Sequence, residues 1–108
     1  MKHVLLSADN KPSIYSVPDV VADNLSEYCC EFCGKWLWES PHAAKYRTDL
    51  GVAYNEQDFI KYLNEWVFPD EPSVLVETLD WSAIDNTING QGQPYLPEKY
   101  KGCEWFNF

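Results

Sequence analysis

Pro18-Asp-Val-Val-Ala-Asp-Asn-Leu-Ser-Glu-Tyr-Cys-Cys-Glu-Phe-Cys-Gly-Lys-Trp-Leu-Trp-Glu39 is the stretch whose reading decides the fold. It holds three of the four cysteines and two of the five tryptophans. It reads either as a long amphipathic helix or as half of a metal site. On a helical wheel, Val21, Leu25, Tyr28, Cys29, Phe32 and Trp36 share one face, and Asp23, Asn24, Glu27, Glu31 and Lys35 fall away from it. Asp19 is the expected N-cap, with Asp23 and Glu27 adding negative charge near the positive end of the helix dipole. Ser40-Pro41 ends the helix, because the residue before a proline avoids helical geometry.

The metal reading starts from Cys30-x-x-Cys33-Gly34-Lys35, which resembles the knuckle of a C2H2 zinc finger. A finger places its first histidine about a dozen residues after the second cysteine, with another histidine a few residues on. His42 comes too early and no suitable second histidine follows, so the finger is rejected. A looser tetrahedral set remains as an alternative: Cys30, Cys33, His42 and Cys103 around zinc. Against it, the helical pattern runs straight through the cysteines. A helix puts Cys29 on the apolar face, where a thiol behaves as a small hydrophobe, Cys33 at the margin and Cys30 toward solvent. Gly34 costs such a helix about 1 kcal/mol relative to alanine, which a continuous apolar stripe overrides. The helix is the reading adopted, with no cofactor expected and zinc as its alternative.

Working outward, residues 3–8 read as a strand and Asp9-Asn10-Lys11-Pro12 as a turn. Ser13-Ile14-Tyr15-Ser16-Val17 alternates as a half-buried strand does, so the chain opens with a β-hairpin. Residues 42–49 read as irregular or a short helical turn, and residues 50–54 as a short strand. Asn55 caps a second helix whose apolar positions are Phe59, Ile60, Leu63, Trp66 and Val67, and Pro69 stops it. Residues 73–79 are rich in β-formers, and the run Val74-Leu75-Val76 suggests a central strand. Residues 86–94 read as a loop and residues 95–108 as an extended, ring-rich tail that wraps the domain or docks on a neighbour. The expected fold is α+β: a small, mostly antiparallel sheet with two amphipathic helices on one face, all of residues 1–108 forming one domain and residues 82–108 its loop and packed tail.

The totals bound the function. With 108 residues, 45% of them apolar and 23% charged, the chain suits a single globular domain. A net charge of −9 opposes contact with a phosphate backbone or an anionic membrane surface. It leaves open an acidic mimic of nucleic acid that blocks a basic partner, although no dense acidic run supports one. Neither an export signal nor a spanning segment is visible, so a cytoplasmic setting with reduced thiols is expected.

No catalytic constellation emerges. A nucleophilic cysteine needs a histidine or a helix N-terminus beside it, whereas these cysteines fall mid-helix and Cys103 has Glu104 as its neighbour. Gly90-Gln91-Gly92 leads to Pro94 and not into a phosphate-binding helix. Pro94-Tyr95-Leu96-Pro97 matches a proline-rich ligand but reads more simply as a packed extended segment. Aromatics are instead in surplus. Trp38 falls on the polar side of its helix, Trp81 has no periodic element, and Tyr95, Tyr100, Trp105, Phe106 and Phe108 crowd the tail. Rings are enriched at the cores of interfaces. The expectation is a non-catalytic protein-interaction or assembly module, with Trp38 and those tail rings as its interface and a homodimer as one form of it.

Overall fold

The computed structural model describes residues 1–8, 12–79, 100 and 102–108, and the backbone of 85–88 and 94–95. In chain order its first elements are β1 (Lys2–Ser7), β2 (Ser13–Val17), α1 (Asp19–Asp23), α2 (Leu25–Glu31), a π-helical turn (Phe32–Trp36) and α3 (Leu37–Glu39). A 3-10 helix (Pro41–Tyr46), β3 (Arg47–Thr48), β4 (Gly51–Val52), α4 (Glu56–Tyr62) and a second π-helical turn (Leu63–Val67) follow. The remainder is β5 (Val74–Thr78), β6 (Asp85–Ile88), β7 (Pro94–Tyr95) and β8 (Glu104–Asn107).

The alternation in Ser13–Val17 pairs β2 antiparallel with β1, from Lys2 opposite Val17 to Leu6 opposite Ser13. Val4 thereby stands opposite Tyr15, and Leu5 opposite Ile14 on the other face. Both faces are covered. Val4, Leu6, Tyr15 and Val17 join the helices in the main core, while Leu5 and Ile14 pack with Leu79, Tyr100, Cys103 and Trp105. That is why Val4-Leu5-Leu6 is an unbroken apolar run rather than an alternating one. β5 adds antiparallel to β2 and β8 adds parallel to β1, giving the order β5-β2-β1-β8. The fold is α+β with a small mixed sheet, and the aromatic tail enters that sheet as a strand.

The expected long helix is broken. Asn24 leaves helical geometry at φ −132° and ψ 39°, and its side-chain amide donates to Val20 O at 2.9 Å. An asparagine side chain that satisfies a backbone carbonyl competes with the helix ladder in this way. Asp19 does not cap; Pro18 holds that position, and the Asp19 carboxylate pairs with the N-terminal amine at 2.9 Å. The apolar stripe nonetheless survives the break, with Val21, Leu25, Cys29 and Phe32 buried.

α4 opens with a reciprocal capping box: Asp58 N donates to Asn55 Oδ1 at 3.1 Å, and Asn55 N donates to Asp58 Oδ2 at 2.9 Å. Its face packs on the first helical stretch around Phe32, whose ring lies 5.2 Å from that of Tyr62, 5.5 Å from Phe59 and 6.1 Å from Phe108. Trp66 departs from the expected apolar face: it sits on the π-turn, half-exposed.

Three further expectations change. β5 is an edge strand of the four-stranded sheet and not a central one, and its pairing with β2 shifts register between Ile14 and Tyr15. The strand expected over 50–54 is only Gly51–Val52, paired with Arg47–Thr48. Within the stretch read as loop, Asp85–Ile88 and Pro94–Tyr95 pair as strands.

Candidate functional site

The first helical stretch carries thiols at three depths. Cys29 is wholly buried, Cys33 is half-buried and Cys30 is exposed, the order that the helical wheel implies. Burial pushes the Cys29 thiol well above its ordinary range, with Cys33 and Cys30 adding to it. Burial likewise pushes the Tyr54 hydroxyl up to about 12, helped by the neighbouring Cys33. Cys103 rises to about 11 through burial and then the charge of Glu104.

These donors do not form the zinc set considered above. Cys103 packs with Leu5 and Ile14 on the face of the sheet away from the helices. His42 stacks on Trp66 with ring centroids 4.2 Å apart, and Cys30 points to solvent from α2. Among the described residues no three His, Cys, Asp or Glu side chains are placed to hold a metal ion. Cys30, Cys33, His42 and Cys103 are therefore not brought together: Cys30 and Cys33 lie on the first helical stretch, His42 on the 3-10 helix, and Cys103 on the other face of the sheet.

The surplus rings divide. Tyr100 is buried; its hydroxyl donates to the Glu77 carboxylate, and its ring meets His3 edge-on at 5.8 Å. Phe106 and Phe108, 4.9 Å apart, pack against the main core. Trp105, opposite Leu5 in the parallel register, packs on the second face. The Trp81 and Tyr95 side chains lie outside the described residues.

Trp38 stays on the surface at 52% exposed, yet it has a local task. Its indole Nε1 donates to Cys33 O at 3.1 Å, and its ring lies 3.8 Å from where a Cβ on Gly51 would stand. Gly51 has a φ of 127°, which a side chain would strain in any case. Arg47 finishes the same corner by donating to the carbonyls of Leu37 and Ser40 at the end of α3.

The surface that sequence reasoning missed is β5. Val74, Leu75 and Val76 are 54%, 54% and 44% exposed in a strand that borders the sheet. Edge strands of ordinary proteins carry charges or proline to discourage pairing. Here those residues flank the run instead, as Asp70-Glu71-Pro72 before it and Glu77 after it. The strand is anchored at its start by Asn64, which accepts from Ser73 N at 2.6 Å and donates to Ser73 O at 3.0 Å. Among the described residues no strand pairs with its outer side. A signal for this was present: three apolar residues in a row fit a strand open on both faces as well as one buried on both.

Among the described residues no helix is long and apolar enough to cross a membrane. Compared with protein families, curated proteins and solved structures, the chain matches none.

Proposed function

We propose that this chain is a non-catalytic protein-interaction module, working in the cytoplasm, that assembles by pairing β5 with the β5 strand of a second copy. The observation that carries the reading is the run of half-exposed apolar residues Val74-Leu75-Val76 on an edge strand. The strand is self-complementary. Set antiparallel about a two-fold axis at Leu75, it puts Val74 opposite Val76, Leu75 opposite its copy and Ser73 opposite Glu77. No like charges meet, and the apolar pairs each add stabilisation of roughly 0.2–1 kcal/mol. A symmetric contact of this kind closes after one pairing and joins two four-stranded sheets into one.

Charge shapes the conditions. Each copy carries −9, so long-range repulsion opposes approach, and added salt screens it. Hydrogen exchange of the full chain over a dilution series at fixed salt tests the reading. The amides of residues 74–78 should gain protection as concentration rises, while those of β1 stay constant. Protection in β5 that does not change with concentration rejects the pairing.

A further inference from the structure

Three thiols fall within five positions of the first helical stretch, and none of them takes part in pairing through β5. They differ in access. Cys30 is exposed, Cys33 is half-buried, and Cys29 is sealed among the apolar residues of the main core. The Cys33 thiol is held by the Tyr54 hydroxyl, whose ring meets Phe32 and Phe108 edge-on at 5.6 and 5.7 Å. The Cys33 carbonyl accepts from the Trp38 indole. Cys33 therefore sits at a joint between the helical stretch, the segment leading into α4 and the end of the tail.

Cys30 and Cys33 are three residues apart. That spacing puts helical Cα atoms about 5 Å apart, inside the range of roughly 4.4–6.8 Å that a disulfide spans. Their Cβ atoms start roughly 5–6 Å apart and must close to about 4 Å. A regular helix resists that movement, but this stretch is not regular. α2 ends at Glu31 and the π-turn begins at Phe32, between the two cysteines. The Phe32 amide is shared between the Cys29 and Tyr28 carbonyls, a three-centre bond where the winding changes. Gly34 follows Cys33 with open space where a Cβ would stand, and it gives the backbone there more freedom than any other residue would.

We infer that Cys30 and Cys33 are an oxidation site, which a hydroperoxide converts to an intramolecular disulfide and a dithiol restores. The Cys30 thiolate attacks the O–O bond of hydrogen peroxide. Its sulfur keeps one oxygen as sulfenic acid, and the other leaves as hydroxide and takes up the thiol proton to become water. The Cys33 thiolate then attacks that sulfur, the S–S bond forms, and a second water leaves. Two thiols and one peroxide thus give one disulfide and two waters, with two electrons passing from sulfur to oxygen.

Access sets the order: Cys30 meets the oxidant and Cys33 resolves. Cys29 takes no part, because a water-borne oxidant does not reach it and burial keeps its thiol protonated. Transient, redox-sensing disulfides of this kind occur in the cytoplasm despite its reducing poise. Closing the bond draws the Cys33 sulfur away from Tyr54, so oxidation loosens the joint. The inference rests on these thiols alone and is independent of pairing through β5.

Treatment of the full chain with a small excess of hydrogen peroxide, followed by intact-mass measurement and peptide mapping, tests it. The monomer should lose the mass of two hydrogens, the bond should map to Cys30 and Cys33, and dithiothreitol should reverse it. Cys33→Ser should stop at a sulfenic acid on Cys30, which dimedone captures. Cys30→Ser should form no disulfide, and Cys103→Ser should behave as the parent. In the oxidised parent, side-chain NMR shifts should move at Tyr54 and Trp38. A parent in which Cys30 passes to higher oxides while Cys33 stays free overturns the inference. So does a disulfide that forms only between molecules, or one that forms equally well in Cys30→Ser. Unmoved shifts at Tyr54 overturn the coupling to the joint.

Discussion

Cys29, Cys30 and Cys33 occupy adjoining turns of one helical stretch and differ mainly in what covers them. Of the three, only Cys30 is exposed; Cys33 is half-buried beside Tyr54, and Cys29 lies in the core. Thiolate is the reactive form, so both burial and a raised pKa slow alkylation. Iodoacetamide applied to native protein at pH 8, with sites located by mass spectrometry, should modify Cys30 first and Cys29 only on unfolding. Early modification of Cys29 would contradict the packing around Phe32.

Buried tyrosines make the fold sensitive to base. Burial, with some help from Glu56, pushes the Tyr15 hydroxyl from 10.0 to about 12, and Tyr54 also reaches about 12. A folded-state pKa above the unfolded value means that the neutral form is preferred in the fold. The associated stability is complete below pH 10 and is lost as pH rises through 12. Urea midpoints measured from pH 8 to 12 should fall over that window, and less steeply in Tyr15→Phe. Such depths were legible in the sequence for Cys29, Cys30 and Trp38, because a helical wheel orders residues by angle. They were not legible for Tyr62 or Tyr100, whose burial comes from contacts with distant segments.

At the scale of the elements, the first helical stretch holds together through its stripe rather than through regular winding. It breaks at Asn24 and widens into a π-turn over Phe32–Trp36. The wheel identified the buried face because the stripe tolerates both defects; it could not show them, because Asn24 acts through a side-chain bond to Val20 O.

Gly34 sits in the π-turn with open space around it: a Cβ there would meet nothing within 4 Å, and its φ is not in the left-handed region. Gly34→Ala should therefore stabilise the chain by about 0.5–1 kcal/mol, as alanine does in a helix. A urea titration measures it. A loss of stability would mean that the turn needs glycine's freedom.

For the whole molecule, the sheet explains where the chain spends its apolar residues. The N-terminal hairpin forms the middle of the sheet, so its apolar run is covered on both sides. The ring-rich tail returns as β8 beside β1 and buries Phe106 and Phe108 against the helices. Fold class, the hairpin and the capped α4 could be read from local patterns, which depend on neighbours in sequence. Strand order could not: Val74-Leu75-Val76 satisfies the pattern of a central strand, and only the placement of β8 beside β1 leaves β5 at the border. The proposed interface is accordingly β5, since Tyr100, Trp105, Phe106 and Phe108 are used in the chain's own packing.

Assembly through β5 is tested most directly by sedimentation velocity of the full chain over a wide concentration range, compared with Leu75→Lys. Leu75 is half-exposed, so the substitution leaves the core intact while setting lysine against lysine across the two-fold. The parent should pass from monomer to dimer as concentration rises, at lower concentration in higher salt, and Leu75→Lys should remain monomeric with unchanged thermal stability. A parent that stays monomeric throughout, or a Leu75→Lys variant that dimerises equally well, would contradict it.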